Sequence, residues 1–128
     1  MRHINILIID KSLDVIIDLK KSISNYYPYF NVVGETNNPK EALNKIEKLK
    51  PEIVFLDLSI ENFERYDILN YLHQNHIHTI ISTNNPRNAI IGFKFKVLYC
   101  IEKPYTLEKL AFASNKIYHE LFKSNFTI

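Results

Sequence analysis

Four polar residues, each at the end of a predicted strand, carry the side chains that phosphoryl chemistry requires: Asp10, Asp57, Thr83 and Lys103. A carboxylate can bind a metal ion, act as a general base or attack phosphorus to become an acyl phosphate. Phosphoryl transfer depends mainly on positioning and on neutralising the charge of the phosphoryl oxygens. A Mg²⁺ ion held by carboxylates, a lysine ammonium and a threonine hydroxyl can supply that neutralisation. The four residues therefore predict a phosphoryl site, provided that the fold brings them together.

Five short apolar runs predict the strands that position these residues. The strands are about Ile4–Ile9, Phe30–Glu35, Ile53–Leu56, Thr79–Ser82 and a strand within Val97–Glu102. Each run is followed by a segment of helical periodicity. Right-handed crossovers then place helices on both faces of one parallel sheet, which is a doubly wound α/β fold. Because ligands bind beyond the carboxyl ends of such strands, we expect the four side chains at one edge of the sheet.

Prolines and capping residues predict where the helices begin and end. The helices are expected to begin near Ser12 or Leu13, after Asn38, near Glu64, at Pro86 and after Thr106. The first should end at Asn25, the second before Pro51 and the third near Asn75. Apolar spacing predicts that the inner face of the last helix consists of Leu107, Leu110, Ala111, Ser114, Ile117, Tyr118 and Leu121.

Composition narrows the class of protein. The 128 residues are 46% hydrophobic, which is enough apolar material for one core, so we expect a single domain over residues 1–128. Cys100 is the only cysteine, which excludes an intrachain disulfide and fits the reducing cytoplasm. The first apolar run, ending at Asp10, is too short for a signal peptide or a membrane span. No membrane association is therefore expected. A net charge of +2 without a basic segment gives little attraction to nucleic acid, so we expect no direct nucleic-acid binding.

The order and spacing of these motifs resemble the receiver domains of two-component response regulators. The matching stretches are Ile6–Asp10, Val32–Glu35 followed by Glu41–Leu43, Lys50–Leu58, Ile80–Thr83 and Ile101–Tyr105. The similarity runs from Ile4 to about Phe122 and implies the five-stranded, flavodoxin-like receiver fold. Val32–Glu35 and the spacing from Thr83 to Lys103 are most similar to receivers that precede LytTR-type DNA-binding domains.

The resemblance also implies a role for each residue. Asp57 would be the phosphoacceptor, Lys103 the phosphate-binding lysine and Thr83 the switch hydroxyl, while Asp10 and Asp57 would bind Mg²⁺. The bond between Lys103 and Pro104 is expected to be cis. The implied partners are a sensor histidine kinase, a second copy of the chain and a DNA-binding output domain in a longer protein. Signalling would use the face formed by the fourth helix, fifth strand and fifth helix, with no enzymatic activity beyond self-dephosphorylation.

Four departures from the family pattern affect the predicted site. Lys11 stands where relatives carry a second acid, so Mg²⁺ binding should be weak. Cys100 stands at the position of the switch aromatic, and Tyr99, one place earlier, should point to the opposite face of the sheet. Asn84 replaces a small residue, and the loop over residues 60–65 is bulkier and more charged than usual.

These departures leave two hypotheses. In the first, Asp57 is phosphorylated although Lys11 weakens the Mg²⁺ site. In the second, Lys11 pairs with Asp10 or Asp57 in place of the metal, and the domain is a phosphorylation-independent module for protein interaction or dimerisation. A flavodoxin-like cofactor binder is disfavoured, because the loop after Ile9 lacks the Ser, Thr and Gly content that cradles a flavin phosphate.

Overall fold

The computed structural model of the chain describes residues 2–60 and 62–122. Its strands and helices alternate as β1 (Ile4–Ile9), α1 (Leu13–Tyr26), β2 (Phe30–Thr36), α2 (Pro39–Leu49), β3 (Ile53–Asp57), α3 (Asn62–Gln74), β4 (His78–Thr83), α4 (Ala89–Phe95), β5 (Tyr99–Glu102) and α5 (Leu107–Phe122). A 3₁₀ turn over Pro86–Asn88 leads into α4. The predicted alternation of strands and helices is confirmed, and most element ends lie within a few residues of those expected.

The strands form one parallel sheet in the order β2-β1-β3-β4-β5. The direction in which strands are added reverses at β1, because β2 lies on one side of it and β3 on the other. Ligands of open α/β sheets bind at this reversal, beyond the carboxyl ends of the strands. Asp10 follows β1 and Asp57 ends β3, so both lie at the reversal point. The predicted doubly wound fold is confirmed.

Two apolar cores cover the two faces of the sheet. Side chains of β1 alternate between them, with Ile4, Ile6 and Ile8 in the first core and Leu7 and Ile9 in the second. The first core also contains residues of α1 and α5, and the second contains residues of α2 and α3. Because both faces of the central strands are covered, those strands read as continuous apolar runs in the sequence. Charge is therefore confined to their ends.

The helices bury narrower faces than their apolar content predicts. In α5 the buried residues are Leu110, Ala113 and Ile117, and Leu121 packs against the first core. The broader predicted face is wrong at Leu107, Ala111 and Tyr118, which are exposed, because a helix lying on a flat sheet contacts it through only one stripe. Among residues 2–60 and 62–122, no helix combines the length and apolar character needed to cross a membrane.

Replacing Ile80 with Val is expected to lower the free energy of unfolding by about 0.5–1.5 kcal/mol, because it deletes a buried methylene from a close-packed core. Ile80 lies on β4 between two neighbouring strands and is 0% exposed. Urea denaturation measures the change. The matched control is Ile17→Val in α1, where the side chain is 50% exposed, and its effect should stay within about 0.5 kcal/mol. Equal losses in both variants would contradict this view of the core.

Candidate functional site

Two carboxylates and one ammonium meet at the carboxyl edge of the sheet, beside a cavity of about 460 Å³. Asp10 and Asp57 are each only 1% exposed. The Lys103 ammonium lies between them, with Nζ 3.1 Å from Oδ2 of Asp10 and 3.3 Å from Oδ1 of Asp57. Three of the four predicted residues are therefore in direct contact, although Lys103 comes from the opposite end of the chain.

Main-chain contacts at the strand ends hold this cluster in place. The N–H of Lys103 donates to the carbonyl oxygen of Thr83 at 2.8 Å, which continues the pairing of β4 and β5 beyond the sheet. At the start of α1, the N–H of Ser12 donates to Oδ1 of Asp10 at 2.9 Å. The bond between Lys103 and Pro104 is cis, as the family resemblance implied. The backbone thus fixes both ends of the contact between Asp10 and Lys103.

Asp57 accepts three further hydrogen bonds from its surroundings. The N–H of Ser59 donates to Oδ1 at 2.9 Å, and the Ser59 hydroxyl donates to Oδ2 at 2.8 Å. The N–H of Lys11 donates to Oδ2 at 3.1 Å. Ser59 was missed in the sequence analysis. The available signal was a turn in which an Asp accepts from the residue two positions later, a frequent role of Asp after a strand.

The surroundings move the pKa values of the two acids in opposite directions. Burial raises the pKa of both carboxyls. For Asp57, the hydrogen bonds from Ser59 and Lys11, together with the Lys103 ammonium, outweigh burial and hold the pKa below its ordinary value. For Asp10, burial and the neighbouring Asp57 charge prevail over its own hydrogen bonds, so the pKa is raised. Of the two carboxyls, Asp57 is therefore the one whose ionised form its surroundings favour.

Lys11 contributes its main chain to the site, and its side chain is exposed. Within the described residues, the ion pairs of Asp10 and Asp57 are made by Lys103 and none by Lys11. The hypothesis that the Lys11 ammonium pairs with these acids is therefore wrong for this structure. The physical reason is that Lys103 already occupies the space between the carboxylates. Lys11 still lines the cavity, so its charge lies near any ion that enters.

The carboxylate oxygens at the site are of the type that Mg²⁺ binds. This ion prefers oxygen ligands and is commonly held by one or two carboxylates, with water completing the octahedron. Asp10 and Asp57 present such oxygens to the cavity. Across the described part of the chain, however, no group of three or more His, Cys, Asp or Glu residues could hold a metal ion. The protein thus offers two carboxylates without a third acidic ligand.

Thr83 lies at the end of β4 but is not hydrogen-bonded to the acidic cluster. Its hydroxyl donates to the carbonyl oxygen of Asn85 at 3.2 Å, and accepts from the N–H of Asn85 at 3.0 Å and from Nδ2 of Asn88 at 2.8 Å. Thr83 lines a second cavity of about 320 Å³, which shares Ser59 and Asn84 with the first. The predicted switch residue is therefore next to the site, with its hydroxyl bonded into the loop after β4.

The two candidate switch positions on β5 face opposite sides of the sheet. Tyr99 packs against the first core, on the side of α1 and α5. Cys100 packs against the second core, on the side of α2 and α3. Burial, with the nearby Glu102 carboxylate, raises the pKa of the Cys100 thiol. The aromatic ring of Tyr99 consequently cannot substitute for one at position 100.

The other two departures from the family pattern, Asn84 and the segment over residues 60–65, lie close to the site. Asn84 is exposed and lines both cavities. In the loop over residues 60–65, Glu61 lies outside the described residues. Arg65, expected at the other end of that loop, lies within the start of α3 and donates from Nη1 to the carbonyl oxygen of Leu58 at 2.9 Å. This contact ties the start of α3 to the residue that follows Asp57.

Comparison with known proteins identifies the family. Residues 6–114 match the response regulator receiver domain. The chain is 30% identical over 98 residues to the sensory transduction protein LytR of Staphylococcus haemolyticus, covering 75% of this chain and 38% of LytR. It is also 30% identical over 81 residues to the sensory transduction protein LytT of Bacillus anthracis, covering 62% of this chain and 33% of LytT. The chain thus spans less than half of either relative.

Solved structures agree on the fold. The receiver domain of AraT, a response regulator from Geobacillus stearothermophilus, has a TM-score of 0.84 at 21% identity, covering 94% of this chain and 97% of that one. A CheY-like receiver domain protein from Methanospirillum hungatei has a TM-score of 0.80 at 19% identity, covering 95% and 98%. With the family match over most of its length and the strand order above, the chain belongs to the response regulator receiver domains of two-component systems.

Proposed function

We propose that Asp57 accepts a phosphoryl group from a sensor histidine kinase in the cytoplasm. The observation that carries the proposal is the Lys103 ammonium, 3.3 Å from Oδ1 of Asp57, beside a cavity of about 460 Å³. A nucleophilic carboxylate next to a fixed cation and open space is what an incoming phosphoryl group requires. Membership of the receiver family supports the same role.

In the proposed reaction, an oxygen of Asp57 forms a bond to phosphorus while the phosphorus–nitrogen bond of a phosphohistidine breaks. The electron pair of the broken bond stays on the imidazole, which is protonated on its other nitrogen and leaves as neutral imidazole. The lowered pKa keeps Asp57 anionic and ready to attack. Lys103 then faces the oxygens of the acyl phosphate and neutralises part of their charge.

Asp10 and Asp57 are the residues that would hold Mg²⁺. When bound, this ion neutralises the charge of phosphoryl oxygens. The positive charge of Lys11 at the cavity opposes the approach of a cation. We therefore propose weak Mg²⁺ binding, with Lys103 supplying the remaining positive charge from within the protein.

The proposed output surface is the face of α4, β5 and α5. On α4, Ile90 is 74% exposed and Phe93 is 89% exposed, and both are large apolar side chains. Such a pair on the surface is typical of a site that another protein covers. We propose that phosphorylation changes the association of two copies through this face. In a longer protein, the same change would be passed to a DNA-binding output domain.

A second candidate function is a phosphorylation-independent interaction or dimerisation module. The observation that favours it is that Lys103 bridges Asp10 and Asp57 directly, so the protein itself partly compensates the acidic cluster without a metal ion. In that case Ile90 and Phe93 would bind a partner regardless of the state of Asp57. Association that is equally strong with and without phosphodonor is the result that distinguishes this function.

The test is intact-mass measurement after incubation with Mg²⁺ and acetyl phosphate. We expect one added phosphoryl group on the wild-type protein and none on Asp57→Ala, because the variant lacks the nucleophile. Sedimentation velocity on the same samples reports whether association changes with phosphorylation. If no group is added under conditions that modify an ordinary receiver domain, the phosphoacceptor role is wrong and the interaction module replaces it.

A further inference from the structure

The hydroxyl of Thr83 is held by a set of hydrogen bonds on the side of the loop that follows β4. It donates once, to the carbonyl oxygen of Asn85 at 3.2 Å. It accepts twice, from the N–H of Asn85 at 3.0 Å and from Nδ2 of Asn88 at 2.8 Å. Thr83 is 3% exposed, so these bonds form away from bulk water. A hydroxyl has one donor and two acceptor positions, and all three are in use.

Asn88 is the only side chain in this set. It ends the 3₁₀ turn that leads into α4, and its backbone is already helical. The cap of this helical stretch is Asn85, whose side chain accepts from the N–H of Arg87 at 3.1 Å. The side-chain amide of Asn88 therefore has no capping role, and it donates to the Thr83 hydroxyl at 2.8 Å.

A different hydroxyl, that of Ser59, contacts Asp57 in this structure. Oγ of Ser59 donates to Oδ2 of Asp57 at 2.8 Å. Ser59 and Thr83 both line the cavity of about 320 Å³, so the two residues border one space. If Thr83 rotated out of its loop, its hydroxyl would enter this space, because the cavity connects its position with that of Ser59.

We infer that Asn88 is a positioning residue that holds the Thr83 hydroxyl away from Asp57 in the unphosphorylated protein. The inference rests on the proposed phosphoacceptor function of Asp57. Released from Asn88, Thr83 turns toward the cavity and donates to an oxygen of the group on Asp57. Asn88 therefore sets the fraction of molecules in which Thr83 is free to bind that group.

The expected effect follows from the strength of one hydrogen bond. A ligand that binds only the released conformation has an apparent affinity reduced by the fraction of molecules in that conformation. Removing a single intramolecular hydrogen bond shifts this equilibrium by about three- to tenfold. Asn88→Ala should therefore tighten the apparent affinity for beryllofluoride, a phosphoryl analogue, by about three- to tenfold in the presence of Mg²⁺.

The first measurement uses the protein without any phosphoryl donor or analogue. Three-bond scalar couplings report the side-chain rotamer of Thr83, and the side-chain NH₂ resonances of Asn88 report its hydrogen bond. We expect a single Thr83 rotamer in the wild type and rotamer averaging in Asn88→Ala. Asn88→Leu, which keeps a similar volume without a donor, should give the same averaging and replaces the Ala variant if that one fails to fold.

The second measurement compares beryllofluoride affinity in two backgrounds. In the Thr83→Val background the hydroxyl is absent, so Asn88→Ala should change the affinity by less than about twofold if Asn88 acts through Thr83. An equal gain in both backgrounds would show that Asn88 acts on the loop as a whole and would overturn the inference. So would a Thr83 rotamer that is unchanged in both Asn88 variants.

These measurements separate the inference from the proposed function. Rotamer averaging in the Asn88 variants, combined with a wild-type protein that binds no beryllofluoride and accepts no phosphoryl group, would remove the phosphoacceptor role and leave the contact between Asn88 and Thr83 as a structural restraint only. The inferred role in switching would then be wrong. Rotamer averaging of Thr83 in the Asn88 variants, combined with a gain in beryllofluoride affinity that requires the Thr83 hydroxyl, supports both the inference and the phosphoacceptor function.

Discussion

Replacing Lys11 with Asp is expected to tighten Mg²⁺ binding by about tenfold to a hundredfold, because a positive charge at the cavity becomes a negative one that can also ligate. The Lys11 side chain is exposed and lines the cavity that holds Asp10 and Asp57, so solvent screens part of its effect. Isothermal titration calorimetry with Mg²⁺ at fixed ionic strength measures the gain.

Two matched variants separate the causes of that gain. Lys11→Met removes the charge without adding a ligand, and we expect it to recover only the smaller, electrostatic part. Lys21→Asp makes the same change in net charge on an exposed site of α1, about 12 Å further along the helix axis than Leu13 at 1.5 Å per residue. Screening at that distance should leave its Mg²⁺ affinity near wild type. A gain as large in Lys21→Asp as in Lys11→Asp would contradict a local role for Lys11.

The meeting of Asp10, Asp57 and Lys103 was predictable from sequence. Each residue ends an apolar run, and parallel strands bring their carboxyl ends to one edge of a sheet. That argument depends only on the parallel direction of the strands, which the alternation of strands and helices predicts. It does not depend on side-chain torsion angles, and this is why it succeeded.

The parts of the site that sequence could not predict do depend on torsion angles. Lys11 contributes an N–H to Asp57 while its side chain is exposed and makes no ion pair with the two acids, and Thr83 turns its hydroxyl toward Asn88. Spacing places a residue at a strand end but does not select its rotamer. Ser59 could have been found from its position after Asp57, although the sequence does not show that both its N–H and its hydroxyl bind one carboxylate.

The exposed apolar residues of α5 show that apolar spacing also does not predict how much of a helix face is buried. Leu107 and Tyr118 fit the apolar spacing of α5 but are 51% and 44% exposed. Periodicity predicts that a helix has an apolar face, but the width of the contact is set by the surface on which the helix lies. Here the fully buried residues of α5 form the narrow stripe of Leu110, Ala113 and Ile117.

Replacing Lys103 with Gln is expected to lower the free energy of unfolding by about 3 kcal/mol at neutral pH, because it leaves two buried carboxylates without their cation. The side chains of Asp10 and Asp57 are 2% and 1% exposed, and that of Lys103 is 12% exposed. The expected loss lies at the lower end for a broken buried ion pair, since the cavity lets water approach. Phosphorylation by acetyl phosphate should also slow more than about tenfold, as the positive charge beside the nucleophile is gone.

The pH dependence of this loss has a definite sign. In the wild type the pKa of Asp57 is below its ordinary value, so Asp57 contributes stability above that value and the contribution is lost as pH falls through the folded-state pKa. Without the ammonium, the pKa of both carboxyls rises. The difference in stability between wild type and Lys103→Gln should therefore be largest at neutral pH. It should shrink as pH falls, first as the carboxyls of the variant become protonated and then, below the ordinary Asp range, as Asp57 of the wild type becomes protonated.

A second substitution tests the cause of the loss. The pKa of Asp10 is already raised in the wild type, by burial and by Asp57, so its ionised form is unfavourable in the folded state. Asp10→Asn in the Lys103→Gln protein removes one of the two unpaired charges at nearly constant shape. It should restore more than half of the lost stability and flatten the pH dependence in urea denaturation across the acid range. A double variant as unstable as Lys103→Gln would mean that the lysine stabilises the fold through packing, and that charge balance between Lys103 and the two acids is not what holds this edge of the sheet together.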